Sequence, residues 1–176
     1  MLTSRWPVGQ PDGDDWRERR YLRGDAIQHA WVGFLGFLPW QLFVTLTIDP
    51  KRLSSGISCH RISREAFGWC NDACRTYRRP MGWVYAPERT RSGRWHAHAL
   101  LIGVPVIRGE VSTLPEAAGI WKARNGRIDI RRVYEAAGAM LYATKQAAAT
   151  GEIVVSDTLG TYRRSLAATR AVDLCP

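Results

Sequence analysis

Two histidines stand two residues apart in this chain, at His96 and His98. On a β-strand, residues i and i+2 point to one face, with side chains close enough to hold one ion. Imidazole nitrogen is a common ligand for Mn²⁺, Zn²⁺ and similar metals. Two imidazoles hydrogen-bonded on a half-buried strand would give the same pattern. A third ligand should be an oxygen. If the segment ending at Glu88 pairs with the histidine strand as a hairpin, its carboxylate comes to lie beside both imidazoles. Asp49 is the other carboxylate within reach, and Glu88 also fits a surface ion pair with Arg89 or Arg91. Two imidazoles and one carboxylate leave positions open for water and phosphate oxygens.

A second group lies far along the chain, in Tyr142-Ala143-Thr144-Lys145. Residues i and i+3 share a helix face, so the phenol and the ammonium are neighbours. Tyrosine is a possible covalent nucleophile, although its ordinary pKa is about 10. A nearby cation and a metal-bound phosphate favour attack by the phenoxide. A tyrosine packed on a sheet beside a solvated lysine fits as well. Tyr134 lies two turns and some earlier and is offset around the axis.

The charge points to what such groups would act on. Lys and Arg total 25 against 16 acidic residues, a net +9, and only three of the 25 are Lys. Arginine offers a planar fork that binds phosphate bidentately and stacks on bases. A basic, Arg-rich chain is the electrostatic footprint of a nucleic-acid binder, and a GC-rich genome also favours Arg codons. Arg89, Arg91 and Arg94 fall beside the histidines, and Arg131 and Arg132 near the tyrosine. Arg75, Arg78 and Arg79 close the helix that precedes the hairpin. Phosphate contact is their natural role, with affinity that falls steeply as salt rises. Trp40, Trp83 and Trp95 fit the core better than a base-stacking channel.

At 176 residues with 45% apolar content, the chain is one domain with a real core and is not disordered as a whole. Cys59, Cys70, Cys74 and Cys175 contain no CxxC pair, which argues against structural zinc. Cys70 and Cys74 read as small core residues. Few cysteines and no secretory signal predict a cytoplasmic setting. Residues 30–48 are uncharged and reach transmembrane length, but Gly33, Gly36, Pro39 and Gln41 interrupt them. A short helix followed by a buried strand explains them better than a membrane span.

The elements that must position these groups follow from periodicity and breakers. Residues 1–24 read as a flexible arm and 25–176 as one domain. Asp25 is placed to cap a helix over 26–37, ended by Pro39. A central strand spans 41–48, and 51–58 is a loop. A helix from Ser63 to about Arg78 places Phe67, Cys70, Cys74 and Tyr77 toward the core. Strands 82–88 and 95–104 flank a turn containing Ser92-Gly93, a hairpin signal. A helix over 112–123 has Ser112 or Thr113 as cap and Pro115 in its first turn. Asn125-Gly126 is a turn and 127–133 a strand, with Ile128, Ile130 and Arg132 on one face. An Ala-rich helix spans 134–149 and a short strand 152–156. The order β-α-β-β-α-β-α-β predicts an α+β fold of ferredoxin-like type: an antiparallel sheet with helices on one face and the other free for a ligand.

Three segments now stand in order: FVTLT at 43–47, the hairpin Glu88…His96-Ala97-His98, and Tyr142-x-x-Lys145. This set resembles the three motifs of the HUH endonuclease superfamily, in particular rolling-circle replication initiators with a single catalytic tyrosine. The resemblance covers about residues 41–146. It implies an HUH-type fold, a divalent ion (Mg²⁺ or Mn²⁺) on Glu88, His96 and His98, and Tyr142 as nucleophile toward single-stranded DNA. The product implied is a 5′-phosphotyrosine and a free 3′-OH, with Lys145 stabilising phenoxide or phosphate charge. Position 138 is Gly and position 146 is Gln, so the two-tyrosine pattern of some members is absent. No helicase domain or phosphate-binding loop follows, so the resemblance implies a host helicase and polymerase acting at an origin or hairpin. Monomer and dimer both fit. A single-tyrosine transposase of an insertion element shares these features. A non-catalytic single-strand binder would explain the charge and fold but not the placement of the four site residues. A hydrolytic metalloenzyme without the tyrosine is a third alternative.

Overall fold

A computed structural model describes residues 26–52, 57–145 and 152–162. The predicted arm and cap at Asp25, the far end of the Ala-rich helix, and Cys175 lie outside them. The described chain runs as helix α1 (26–35), strand β1 (Leu42–Ile48), helix α2 (Cys59–Thr76), strands β2 (Gly82–Arg89) and β3 (Trp95–Ile102), a small hairpin β4 (Val106–Ile107) and β5 (Glu110–Val111), helix α3 (Pro115–Arg124), strand β6 (Gly126–Arg132), helix α4 (Ala136–Ala143) and strand β7 (Val154–Val155). The fold is α+β, and its five-stranded sheet has the order β6-β1-β3-β2-β7 with every pair antiparallel. Its architecture is consistent with an HUH-type fold.

The two-residue period of the strands sorts the side chains onto two faces. Leu42, Val44, Leu46 and Ile48 of β1, with Ala97, Ala99 and Leu101 of β3, face α2 and α3 and form the larger core. Three tryptophans close their indole N–H groups internally: Trp69 donates to Ala117 O, Trp121 to Arg127 O, and Trp40 to Leu35 O. A buried indole otherwise leaves an unmet donor.

The sequence predicts a free opposite face, but that face is covered over part of its length. Leu35 at the end of α1, Leu38 and Trp40 just beyond it, and Met140 and Ala143 of α4 cover Val84, Leu100 and Ile102 in a second core. Helices therefore pack on both faces, and among the described residues only the other end of this second face, around Thr45, Thr47 and His96, stays open. Trp40 and Trp83 are buried, which leaves them no base-stacking role. Trp95 is half-buried against the larger core.

Several predicted boundaries move for physical reasons. Helix α2 begins a turn earlier than Ser63, because the Ser58 side chain accepts from Arg61 N and caps it. Its buried stripe is Ile62, Ala66, Trp69, Cys70 and Ala73. Phe67, predicted in the core, is 48% exposed and meets Trp83 edge-on. Cys70 is buried and Cys74 half-buried, as read. Neither Ser112 nor Thr113 caps α3. Its N-cap is Leu114, in the left-handed region at φ +52° with its side chain fully buried, while Ser112 Oγ accepts from Leu114 N. The β4–β5 hairpin was not predicted; Arg108 and Gly109 close it, both at positive φ.

Asn125-Gly126 ends α3 and starts β6, and here glycine is required. Gly126 has φ +128°, and a Cβ would stand 2.9 Å from the Asp49 backbone nitrogen. Gly126→Ala is expected to cost about 1–3 kcal/mol of stability, read as a shift in denaturant midpoint.

Candidate metal centre and tyrosine cleft

The hairpin β2–β3 delivers the first group. Its turn is closed by Thr90 N to Arg94 O (2.8 Å) and Gly93 N to Thr90 O (2.9 Å), with Gly93 at φ +83°. That turn sets Glu88 directly opposite His96. Glu88 Oε2 lies 2.7 Å from His98 Nε2 and 3.2 Å from His96 Nε2, and the two Nε2 atoms are 3.0 Å apart. Ligands about 2.1 Å from a metal and at right angles to each other are about 3.0 Å apart, so this donor triangle fits a metal ion. Glu88, His96 and His98 form the one group of three or more His, Cys, Asp or Glu residues among the described residues that could hold an ion. Asp49, the alternative carboxylate, lies at the end of β1 and accepts from Lys51 N instead.

Burial governs the charges here. It pushes the His98 imidazole down to about 4, and the adjacent His96 adds to this against the attraction of Glu88. Burial also holds His96 below its ordinary value, outweighing Glu88. Burial raises the Glu88 carboxyl, but the Lys145 hydrogen bond and the two imidazoles outweigh it and leave it below the usual range. Both imidazoles are thus neutral and the carboxylate ionised at pH 7, the states in which they bind metal. Between pH 6.5 and about 4 the unfolded chain takes a proton at His98 that the folded protein does not. Stability of the metal-free protein is therefore expected to fall as pH drops through that window. Melting curves in EDTA from pH 7 to 4 check this, with His98→Gln giving the flatter profile.

Thr45, opposite His98 on β1, supports the site from behind: its Oγ1 is 3.1 Å from His98 Nδ1. A hydroxyl can donate to or accept from that nitrogen. It can therefore serve the tautomer that hydrogen-bonds Glu88 through Nε2 and the tautomer that offers Nε2 to a metal. Valine can do neither. Thr45→Val is expected to weaken Mn²⁺ binding about 10–100-fold with the fold intact, measured by calorimetric titration.

Helix α4 brings the second group onto the same face. The Glu135 side chain caps it, accepting from Ala137 N (2.8 Å) and Gly138 N. Met140 and Ala143 anchor it, and Tyr142 is left 52% exposed. The Tyr142 ring lies 5.2 Å from the His98 ring and 5.7 Å from Phe43, centroid to centroid. The helix ends at Ala143, short of the predicted 149, and Lys145 follows in a turn. Its Nζ is 3.0 Å from Glu88 Oε1 and 3.7 Å from the Tyr142 ring centroid. Burial lowers the Lys145 ammonium, but its hydrogen bonds to Tyr142 and Glu88 outweigh this and raise it. Lys145 thus bridges the donor triangle and the phenol. At position 138 a Cβ would meet the Glu135 carboxylate, so a second tyrosine there would displace the oxygen that accepts from the position-138 N–H. Tyr134 is 93% exposed ahead of the helix.

Two clefts meet at this face. One, of about 450 Å³, is lined by Phe43, Thr45, Asp129, Arg131, Arg132, Tyr134 and Tyr142 among others. The other, of about 670 Å³, is lined by Thr45, Thr47, Asp49, Arg52, Arg94, His96, Arg127 and Asp129 among others. Of the predicted arginines, Arg131 and Arg132 line the first, paired with Asp129 (2.8 Å) and Glu110 respectively. Arg94 lines the second. Arg89 does not join the site: it follows Glu88 by one residue, so it points to the other face, with its guanidinium 5.9 Å above the Trp95 ring. Arg91 lies on the exposed turn and lines neither cleft. Sequence reading missed Arg52, Arg127 and Asp129. The period of two in RIDIR, which sets Arg127, Asp129 and Arg131 on one face, is the signal that would have found the last two.

Residues 41–147, more than half of the chain, match the family model described as Replication-associated protein ORF2, and the chain belongs to that family. Membership implies interaction with DNA and a part in its replication. No curated protein and no solved structure matches the chain significantly. No helix among the described residues is long and apolar enough to cross a membrane.

Proposed function

We propose that this protein is a single-tyrosine HUH-type endonuclease that nicks and rejoins single-stranded DNA, initiating rolling-circle replication of a plasmid or phage. The observation that carries the reading is the half-exposed Tyr142 phenol beside the Glu88–His96–His98 triangle, with Lys145 between them. A divalent ion, Mg²⁺ or Mn²⁺, held by Glu88, His96 and His98 would supply Lewis acidity toward an oxygen of the scissile phosphate. Tyr142 Oη attacks that phosphorus, the P–O3′ bond breaks, and the strand is left as a 5′-phosphotyrosine and a free 3′-OH. The phenol proton passes to water, and the departing O3′ takes one from water. Lys145 stabilises the phenoxide, and Arg131 meets the phosphate backbone in the tyrosine cleft. The phosphotyrosine conserves the bond energy, so a 3′-OH can reverse the step. A host helicase and polymerase would open and extend the strand.

The test is an SDS-stable adduct between the protein and labelled single-stranded DNA in the presence of Mn²⁺, with mass spectrometry placing the nucleotide on Tyr142. Salt-sensitive binding that never yields an adduct would replace this reading with a non-catalytic binding module.

A further inference from the structure

The two clefts lie end to end along β1 and β6. Phe43 and Arg131 line only the first, Thr47 and Arg127 only the second, and Thr45 and Asp129 both. These residues pair across the strands as Phe43–Arg131, Thr45–Asp129 and Thr47–Arg127, so they share one face in sequence along it. His98 is opposite Thr45 and His96 opposite Thr47, which puts the donor triangle alongside the junction of the clefts. Tyr142 stands at one end of this track. Displacement at phosphorus runs with the attacking and leaving oxygens roughly in line. With Tyr142 Oη entering from the first cleft, O3′ departs toward the second.

We infer that the second cleft holds the DNA segment on the 5′ side of the cut, keeping its new 3′-OH in place for rejoining or extension. This rests on the covalent reading above. The cleft suits the task. Among the described residues no carboxylate pairs with Arg94 or Arg127, whereas Arg131 and Arg132 at the tyrosine end are both paired. Arg52 is fixed at the cleft by hydrogen bonds from its guanidinium to Lys122 O (2.8 Å) and Ala123 O (2.6 Å). The carboxylates present, Asp49 and Asp129, are engaged with Lys51 N and Arg131.

A single-stranded DNA pool with a randomised core, incubated with the full chain and Mn²⁺, defines the cut once adducts and released fragments are sequenced. Two fluorescent oligonucleotides then follow: one ending in the 3′-OH at the cut, the other starting just beyond it. The variant Arg94→Gln/Arg127→Gln is expected to bind the first at least tenfold more weakly and the second less than twofold more weakly. Loss of two phosphate contacts also lowers the slope of log affinity against log salt by about 1.4. Rejoining of the 3′-OH oligonucleotide to the preformed adduct is expected to fall at least tenfold. Arg127→Lys, which keeps the charge, should retain most of the binding, which separates lost phosphate contact from lost folding. Equal binding of the first oligonucleotide by the double variant overturns the assignment, as does a loss confined to the second. Wild-type protein that forms no adduct removes the covalent reading and this assignment with it, and that result is read before any variant is made.

Discussion

Tyr142→Phe is expected to abolish the SDS-stable DNA adduct while leaving the fold and metal binding as they are. The substitution removes one atom. The ring keeps its edge contacts with Phe43 and His98 and its place beneath the Lys145 ammonium. Because the side chain is half-exposed, the lost hydroxyl leaves no buried partner unsatisfied, and the melting temperature should move by no more than a degree or two. The chemistry has no such tolerance: without the nucleophile the covalent route is closed, and cleavage should fall at least about 10³-fold. A denaturing gel with the oligonucleotide cut by the wild type decides it. Cleavage that persists with an adduct would transfer the role to Tyr134, on the same cleft. Persistence without an adduct would transfer it to water.

How far this site could be read from the sequence depends on how local the responsible physics is. Glu88, His96 and His98 were legible because a hairpin with a short polar turn fixes register, and register alone brings residue 88 opposite 96. Tyr142 and Lys145 were legible as neighbours from helix spacing, and as partners of the triangle only through the family resemblance, because that approach depends on α4 docking against Leu100 and Ile102 through Met140 and Ala143. The same docking overturned the expectation of one free sheet face. Phe67 misled because helical spacing admits more than one stripe, and the choice between neighbouring stripes is made by what α2 packs against. The cap of α3 misled because burial of Leu114 overrides local capping preference. Arg52 was out of reach altogether, since it enters its cleft through contacts 70 and 71 residues away.

Glu88→Gln should separate the metal centre from the tyrosine. The amide matches the carboxylate in shape but carries no charge, and a neutral oxygen is a far poorer ligand for a divalent ion. An affinity loss of at least about 100-fold is expected, beyond what outer-shell changes cost. At a Mn²⁺ concentration of 100 times the wild-type dissociation constant, the wild type gains about 2.7 kcal/mol, roughly 5–10 °C in melting temperature. The variant, then near its own dissociation constant, gains only about 0.4 kcal/mol, roughly 1 °C. Without metal the two proteins should differ less, because Lys145, which loses its partner 3.0 Å away, is one-third exposed and can turn to water. Tyr142→Phe should keep the full Mn²⁺ response and lose the adduct, whereas Glu88→Gln should lose both. A full Mn²⁺ response in Glu88→Gln would place the ion elsewhere and break the link between the hairpin and the chemistry. If the response is lost and adduct formation survives, the tyrosine works without the ion, with Lys145 and the cleft arginines carrying the phosphate charge.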